Sequence, residues 1–325
     1  MTLFIVRRLL QAAFVLLMVS LVVFFAVYAV GDPVELLVSA DASAAERALA
    51  IQRLGLDRPA WEQYLGFLGN ALRGDLGRSF VHGTPALELI VQRIPATFEL
   101  VVLALIVALA LGLPLGLVAG LNPERRVGRV IMTGSIFGYS LPNFWQGMMF
   151  LLLFSVWLGL LPTSGRGETV DVLGIKLSLF TADGLRHMLM PALNLSLANI
   201  ALVIRLTAAG AVEARAQDYV RFARAKGVRH SRIVRRHILR NILIPVVTVM
   251  GLEFGSLIAY STITETVFAW PGMGKLLIDS IYQLDRPVVV AYVMLVTLLF
   301  VVVNLLVDLL YAALDPRVQV LEPAA

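Results

Sequence analysis

Hydrophobic positions fall into six long runs separated by segments rich in charge and turn residues. A helix needs roughly 20 apolar residues to cross about 30 Å of hydrocarbon. Leu9–Val30 and Leu100–Leu121 meet this length without a charge. Val130–Leu161 is too long for one straight crossing. Gly138 and Pro142 lie inside it and predict a kink or break near Tyr139–Asn143. Met188–Ile204 is shorter and more polar, with Asn194, Ser196 and Asn199. Ile242–Ile263 carries Glu253, and Val288–Val307 is the sixth run. Arg7 and Arg8 precede the first run, as they would in a signal peptide. The run exceeds an ordinary signal core, however, and Gly31-Asp32-Pro33 is not a cleavage pattern, so it is read as a span.

The segments between the runs have their own periodicity. Within Gly31–Pro95, Ser43 and Glu46 form a capping-box pattern. A short helix is expected to run to Leu54 and stop at Gly55. Pro59 suits a following first turn, and Trp61, Tyr64, Leu65, Leu68 and Leu72 recur at helical spacing. Two amphipathic helices near the membrane surface fit this pattern, either packed on the bundle or docking a partner. The second informative segment is Glu213–Asn241. Val212, Ala216, Tyr219, Val220 and Ala223 fall on one helical face, and Gly227 is a stop signal. Ser231 is expected to cap a second helix with Ile233, Val234 and Ile238 on its apolar side. Small residues at Ala223, Ala225 and Gly227 permit close approach by another protein. A basic loop also fits a topogenic signal or a lipid-headgroup contact.

Composition supports a membrane reading. Of 325 residues 59% are hydrophobic and 15% charged, and mean hydropathy is +0.84. A soluble domain is nearer half apolar and a quarter charged, so a cytosolic enzyme, a secreted module and a disordered segment are excluded. The absence of cysteine removes disulfides and thiolate chemistry. His82, His187, His230 and His237 show no metal-ligand spacing. Six spans put both termini on one side. The loops on that side hold Arg7, Arg8, Arg125, Arg126, Arg129, a basic run from Arg215 to Arg240, and Arg317, whereas the opposite loops are net acidic. Both termini are therefore expected in the cytoplasm.

No catalytic constellation is present. Pro271-Gly272-Met273-Gly274-Lys275-Leu276 lacks the spacing and hydroxyl of a nucleotide P-loop. Glu253 is an ionisable group inside a predicted span, a placement that fits either a translocation pathway or pairing within the bundle. Asn194, Asn199 and Asn304 fit interhelical hydrogen bonding. The rival classes are an ion-coupled secondary transporter of small solutes and a receptor or scaffold. No internal repeat supports the former.

Several segments, taken in order, resemble the permeases of bacterial ABC importers, specifically the B-type subunit of the dipeptide, oligopeptide, nickel and glutathione uptake systems. These are LGLDRPAWEQYL at 54–65, GDLGRSF at 74–80, RIPATFEL at 93–100, DYVRFARAKG at 218–227, RHILRNILIPVVT at 236–248, TETVFAWPGMGKLL at 264–277 and NLLVDLLYAALDPR at 304–317. The stretch at 218–227 is similar to the family's cytoplasmic "EAA" loop. The general pattern closes on I-x-L-P soon after its glycine, whereas here His237-Ile238-Leu239-Arg240 stands there and proline is delayed to Pro245. The resemblance implies an all-α polytopic membrane protein with six transmembrane helices, the type I ABC importer permease fold and cytoplasmic termini. It implies residues 1–30 as the N-terminal end and first span, 31–95 as an external helical cap, 96–314 as the core with a coupling loop at 211–241, and 315–325 as a cytoplasmic tail. Its implied coupling residues are Asp218, Tyr219, Arg221, Ala223, Arg224, Ala225, Lys226 and Gly227. Implied partners are a second homologous permease, two cytoplasmic ABC ATPases, an extracytoplasmic substrate-binding protein and the lipid bilayer of the bacterial inner membrane, with no nucleic acid. The chain itself is expected to be no enzyme and to hold no cofactor or metal, ATP and magnesium belonging to the ATPases.

Overall fold

The computed structural model describes residues 2–31, 34, 38, 42–53 and 55–314. Leu54, the expected end of the first cap helix, and the 315–325 tail lie outside the described residues. Helices dominate: α1 (Thr2–Val30), α2 (Ala44–Arg53), α3 (Ala60–Ala71), α4 (Ala86–Leu121), α5 (Arg126–Ser140) and α6 (Asn143–Phe150). A short antiparallel hairpin, β1 (Val170–Val172) and β2 (Ile175–Leu177), pairs Val170 with Leu177. It is the one sheet among the described residues of an otherwise helical fold. Then come α7 (Ala182–Ala216), α8 (Asp218–Ala225), α9 (His230–Ile233), α10 (Leu239–Val267), α11 (Met273–Tyr282) and α12 (Arg286–Leu314). Residues 151–157 and 234–238 are π-helical turns continuing α6 and joining α9 to α10.

Among the described residues, five helices are long and apolar enough to cross a membrane: those containing Leu10–Val27, Ala86–Leu121, Ala182–Ala216, His230–Val267 and Arg286–Leu305. The third predicted run is not one helix but two. Leu141 turns extended (φ −82°, ψ 137°) between α5 and α6, because Pro142 cannot continue the ladder. The exposed helix end is satisfied from within: the Gln146 side-chain amide donates to the carbonyls of Gly138 (2.9 Å) and Leu141 (2.8 Å). A broken backbone at membrane depth requires such partners.

The described residues divide into two compact units, those up to 97 with 271–305 and those from 98–270 with 306–314. In the first, α3 lies on α1 through Tyr64, whose hydroxyl is 3.0 Å from Ser20 Oγ and whose ring meets Phe24 edge-on at 5.3 Å. The buried carboxylate of Asp285 accepts hydrogen bonds from the Ser79 hydroxyl and the Phe80 N–H, fixing the 75–86 turn to the start of α12. The capping box is formed. Glu46 accepts from the Ser43 N–H (2.8 Å) and Ser43 Oγ from the Glu46 N–H (3.3 Å). The Ser43 N–H and the Ser43 hydroxyl, both donating to the Glu46 carboxylate, hold it below its usual range. Pro59 is the N-cap of α3 rather than its first helical residue.

In the second unit, Gly112, Gly116 and Gly120 let α4 lie against α7. A Cβ on any of them would come within 2.7 Å of Val203, Thr207 or Ala208. Small residues at this spacing are how membrane helices gain close packing without a hydrophobic driving force. Asn194 donates to Asn143 (2.5 Å) and Thr264 (3.1 Å), linking α7 to α6 and α10. These are the interhelical bonds expected for Asn194.

Candidate functional site

The segment joining α7 to α10 is a helix–turn–helix built on a buried apolar seam. The long face predicted from Val212 to Ala223 is cut at Gln217, whose ψ of 148° ends α7 and starts α8. Val212 and Ala216 are therefore exposed, while Val220 and Ala223 are buried. These two join Ile233, Ile238, Ile242, Val246 and Met250 in one core cluster that runs from α8 into α10. Arg215 at the end of α7 donates to the Leu121 carbonyl at 3.2 Å.

The C-terminus of α8 is closed by Gly227 at φ +73°. The Gly227 N–H donates to the Arg224 carbonyl (2.9 Å) and the Val228 N–H to the Ala223 carbonyl (3.1 Å). This is the paired-bond helix stop in which glycine takes the left-handed position. Arg229, not Ser231, is the N-cap of α9. Of the expected apolar side, Ile233 on α9 and Ile238 on the π-helical turn after it are buried, and Val234 is half-buried. Tyr219 is tied back to α10 by the Asn241 side-chain amide at 2.8 Å, and its ring lies 6.4 Å from that of His237.

The outward face of α8 therefore carries Asp218, Tyr219, Arg221, Phe222, Arg224 and Ala225, and the exposed Lys226 is its C-cap. Asp218 and Arg221 pair at 3.5 Å with both side chains exposed, which contributes little stability. Phe222 is 69% exposed and lies outside the residues expected from the sequence. Its signal was an aromatic off the Val220/Ala223 stripe on an otherwise charged face. Ala223 is the converse case: counted both on the apolar face and among the small residues that permit close approach by another protein, it is only 8% exposed and faces the chain's own core. The structure brings the other expected loop residues together on one projecting element.

Glu253 is not part of this site. It lies half-buried on α10 and has no hydrogen-bond or ion-pair partner among the described residues. The fully buried carboxylate of α10 is Glu265, 3.1 Å from Ser261 Oγ. A second buried carboxylate, Glu99, pairs with Arg166 at 2.7 Å and accepts from the Ser178 N–H at 2.9 Å. Neither stands out in the sequence, because each flanks a predicted span rather than interrupting it. No cluster of three metal-ligating side chains occurs among the described residues.

Residues 112–320 match the family model described as binding-protein-dependent transport system inner membrane component, and residues 1–101 match the N-terminal model of such transport-system membrane components. The chain is 39% identical over 321 residues to the oligopeptide transport system permease protein AppB of Bacillus subtilis (strain 168), covering 98% of this chain and 100% of that protein. It is 39% identical over 317 residues to the glutathione transport system permease protein GsiC of Escherichia coli O6:H1, covering 97% and 98%. Among solved structures, an inward-facing conformation of the MetNI methionine ABC transporter is similar in fold, with a TM-score of 0.52 at 17% identity, covering 70% of this chain and 97% of that one.

Proposed function

Because the chain belongs to the family of binding-protein-dependent transport system inner membrane components, we propose that it forms half of an ATP-driven import pathway and is coupled to an ATPase through α8. It is a multi-pass permease of the inner membrane, which sets aside the ion-coupled carrier. In this reading a second, homologous permease supplies the other half of the pathway. Two cytoplasmic ATPases hold the ATP and magnesium, and an external binding protein delivers the cargo. Relatives named for oligopeptide and glutathione transport support a small peptide as the cargo. Both termini and the 211–241 loop face the cytoplasm, and residues 31–95 form an external cap.

The observation that carries the coupling role is the continuous core from Val220 and Ala223 to Met250. A projecting helix that shares its core with a span cannot move without it, and alternating access needs such rigid elements. Asp218, Tyr219, Arg221, Arg224, Ala225 and Lys226 present the docking surface, while Ala223 and Gly227 hold its shape. Glu253, whose carboxylate on α10 has no partner among the described residues, is a pathway residue in the same proposal. The test is peptide uptake into vesicles holding the chain, its partner permease and the ATPases. Uptake that needs internal ATP and loaded binding protein is expected. Ion-driven uptake by this chain alone would contradict the proposal.

A further inference from the structure

The helix α3 carries two apolar faces, and among the described residues only one of them is covered. Tyr64 and Phe67 pack on α1. The Tyr64 ring lies 5.3 Å from that of Phe24 and 5.9 Å from that of Phe25, and the Phe67 ring lies 5.8 Å from that of Phe24. Trp61, Leu65, Leu68 and the C-cap Leu72 recur at i, i+4, i+7 and i+11 on the adjoining face. Trp61, Leu65 and Leu72 are 58%, 57% and 86% exposed. Glu62, Gln63 and Asn70 take the other side, where with Arg58, Asp75 and Arg78 they line a cavity of about 820 Å³.

Depth decides what covers the second face. Within the same compact unit, the Arg286 guanidinium donates to the Gly31 carbonyl. The Gly31 end of α1 therefore stands level with the start of α12, whose apolar run opens at Val288. Phe24 and Phe25 lie seven and six residues inside Gly31, or about 10 Å along α1 at 1.5 Å per residue. Ser20, bonded to the Tyr64 hydroxyl, is deeper still. The helix α3 thus lies beside the membrane-spanning part of α1, not above it. Over the same length α1 itself exposes Met18, Leu21, Val22 and Phe25. A water-soluble partner docking on the cap does not reach a face at this depth. A neighbouring membrane helix would call for small residues, but Gly66 and Gly69 lie off the stripe. One tryptophan and three leucines on one face, with polar side chains opposite, suit a helix lying in the interfacial plane with its apolar side about 5–10 Å into the acyl boundary.

We propose that α3 is a half-immersed helix whose Trp61, Leu65, Leu68 and Leu72 face is covered by acyl chains of the outer leaflet, holding the cap against the membrane. The choice of leaflet rests on the external placement of residues 31–95. Labelling of Ala48→Cys by an impermeant thiol reagent reads that placement by itself. Immersion is read without reference to side, so failure of the topology and failure of the immersed face are distinguishable.

The test places single nitroxide-labelled cysteines in the cysteine-free chain, within assembled importers that still transport in phospholipid vesicles. Collisions with oxygen, which concentrates in lipid, are compared with collisions with a water-soluble nickel chelate. Labels at Leu65→Cys and Leu72→Cys should meet oxygen freely and be shielded from nickel, reading a depth of about 5–10 Å below the headgroups. Labels at Glu62→Cys and Asn70→Cys should show the reverse, as should Ala48→Cys. Nickel collisions at 65 and 72 equal to those at 48 would put the face in water. Shielding of 65 and 72 from both reagents would put a protein on it. Either result would overturn the proposal.

Discussion

The Val228 N–H reaches the Ala223 carbonyl across 3.1 Å, over a turn that Gly227 makes possible by its φ of +73°. A Cβ at Gly227 would meet nothing within 4 Å. The cost of replacing this glycine is therefore backbone strain alone, about 1–2 kcal/mol. Gly227→Val should leave the protein inserted but lower uptake and the ATPase activity stimulated by loaded binding protein. Gly227→Asn, which tolerates the left-handed conformation, should retain most of both. Equal loss in the two variants, measured in the reconstituted importer, would assign Gly227 another role.

Phe222 and Ala223 are adjacent but should respond differently. Phe222→Ala removes an exposed ring, so thermal stability should hold. ATPase association should weaken by about 30-fold if the ring is an interface anchor of about 2 kcal/mol. Ala223→Trp overfills the core beneath α8 and should cost about 1–3 kcal/mol of stability. Loss of ATPase binding in that variant would report a disturbed core, not a blocked surface. Thermal melts beside co-purification yields separate the two effects.

Much of this arrangement was legible in the sequence wherever the signal was local. Ser43 and Glu46 cap each other three residues apart, Pro142 breaks its own helix, and Gly227 ends α8. Each needs only its neighbours in the chain. The corner at Gln217 was not visible, since glutamine carries no turn chemistry, and missing it misplaced Val212 and Ala216. The burial of Ala223 depends on α10, and the Glu99–Arg166 and Ser79–Asp285 pairs join residues 67 and 206 positions apart. Such pairings leave no periodic trace. Several of these residues nonetheless sit in the segments that carried the family resemblance: Ser79, Glu99 and Glu265 lie in GDLGRSF, RIPATFEL and TETVFAWPGMGKLL.

The Glu99–Arg166 pair gives a stability prediction. Its side chains are 4% and 14% exposed, and removing one member strands the other. Glu99→Ala also deprives the Ser178 N–H of its acceptor. A loss of about 3–5 kcal/mol is expected, seen as a lower melting temperature of the purified importer. Replacing both partners with leucine and methionine should cost less than Glu99→Ala alone. An Ala variant as stable as the parent would show that the pair contributes nothing.

The two carboxylates of α10 should also separate. Glu253→Gln should reduce uptake while the complex still assembles, because Glu253 has no partner to lose among the described residues. Glu265→Gln changes a fully buried group bonded to Ser261 and should lower the yield of assembled complex. Unchanged uptake in Glu253→Gln, with normal assembly, would remove Glu253 from the pathway.

A chain without cysteine allows the coupling proposal to be tested by contact. Single cysteines at Phe222 and Ala225 on the outer face of α8, and at Ala48 and Leu173 as controls, are treated with a short bifunctional thiol reagent in the assembled, transport-competent importer. ATPase subunits carrying one cysteine in the cleft that would receive α8 supply the second thiol. Cross-linking from positions 222 and 225, changing in yield with ATP, and none from 48 or 173, is the predicted result. An importer that transports normally but gives no ATPase cross-link from 222 or 225, with any cleft cysteine, would contradict it.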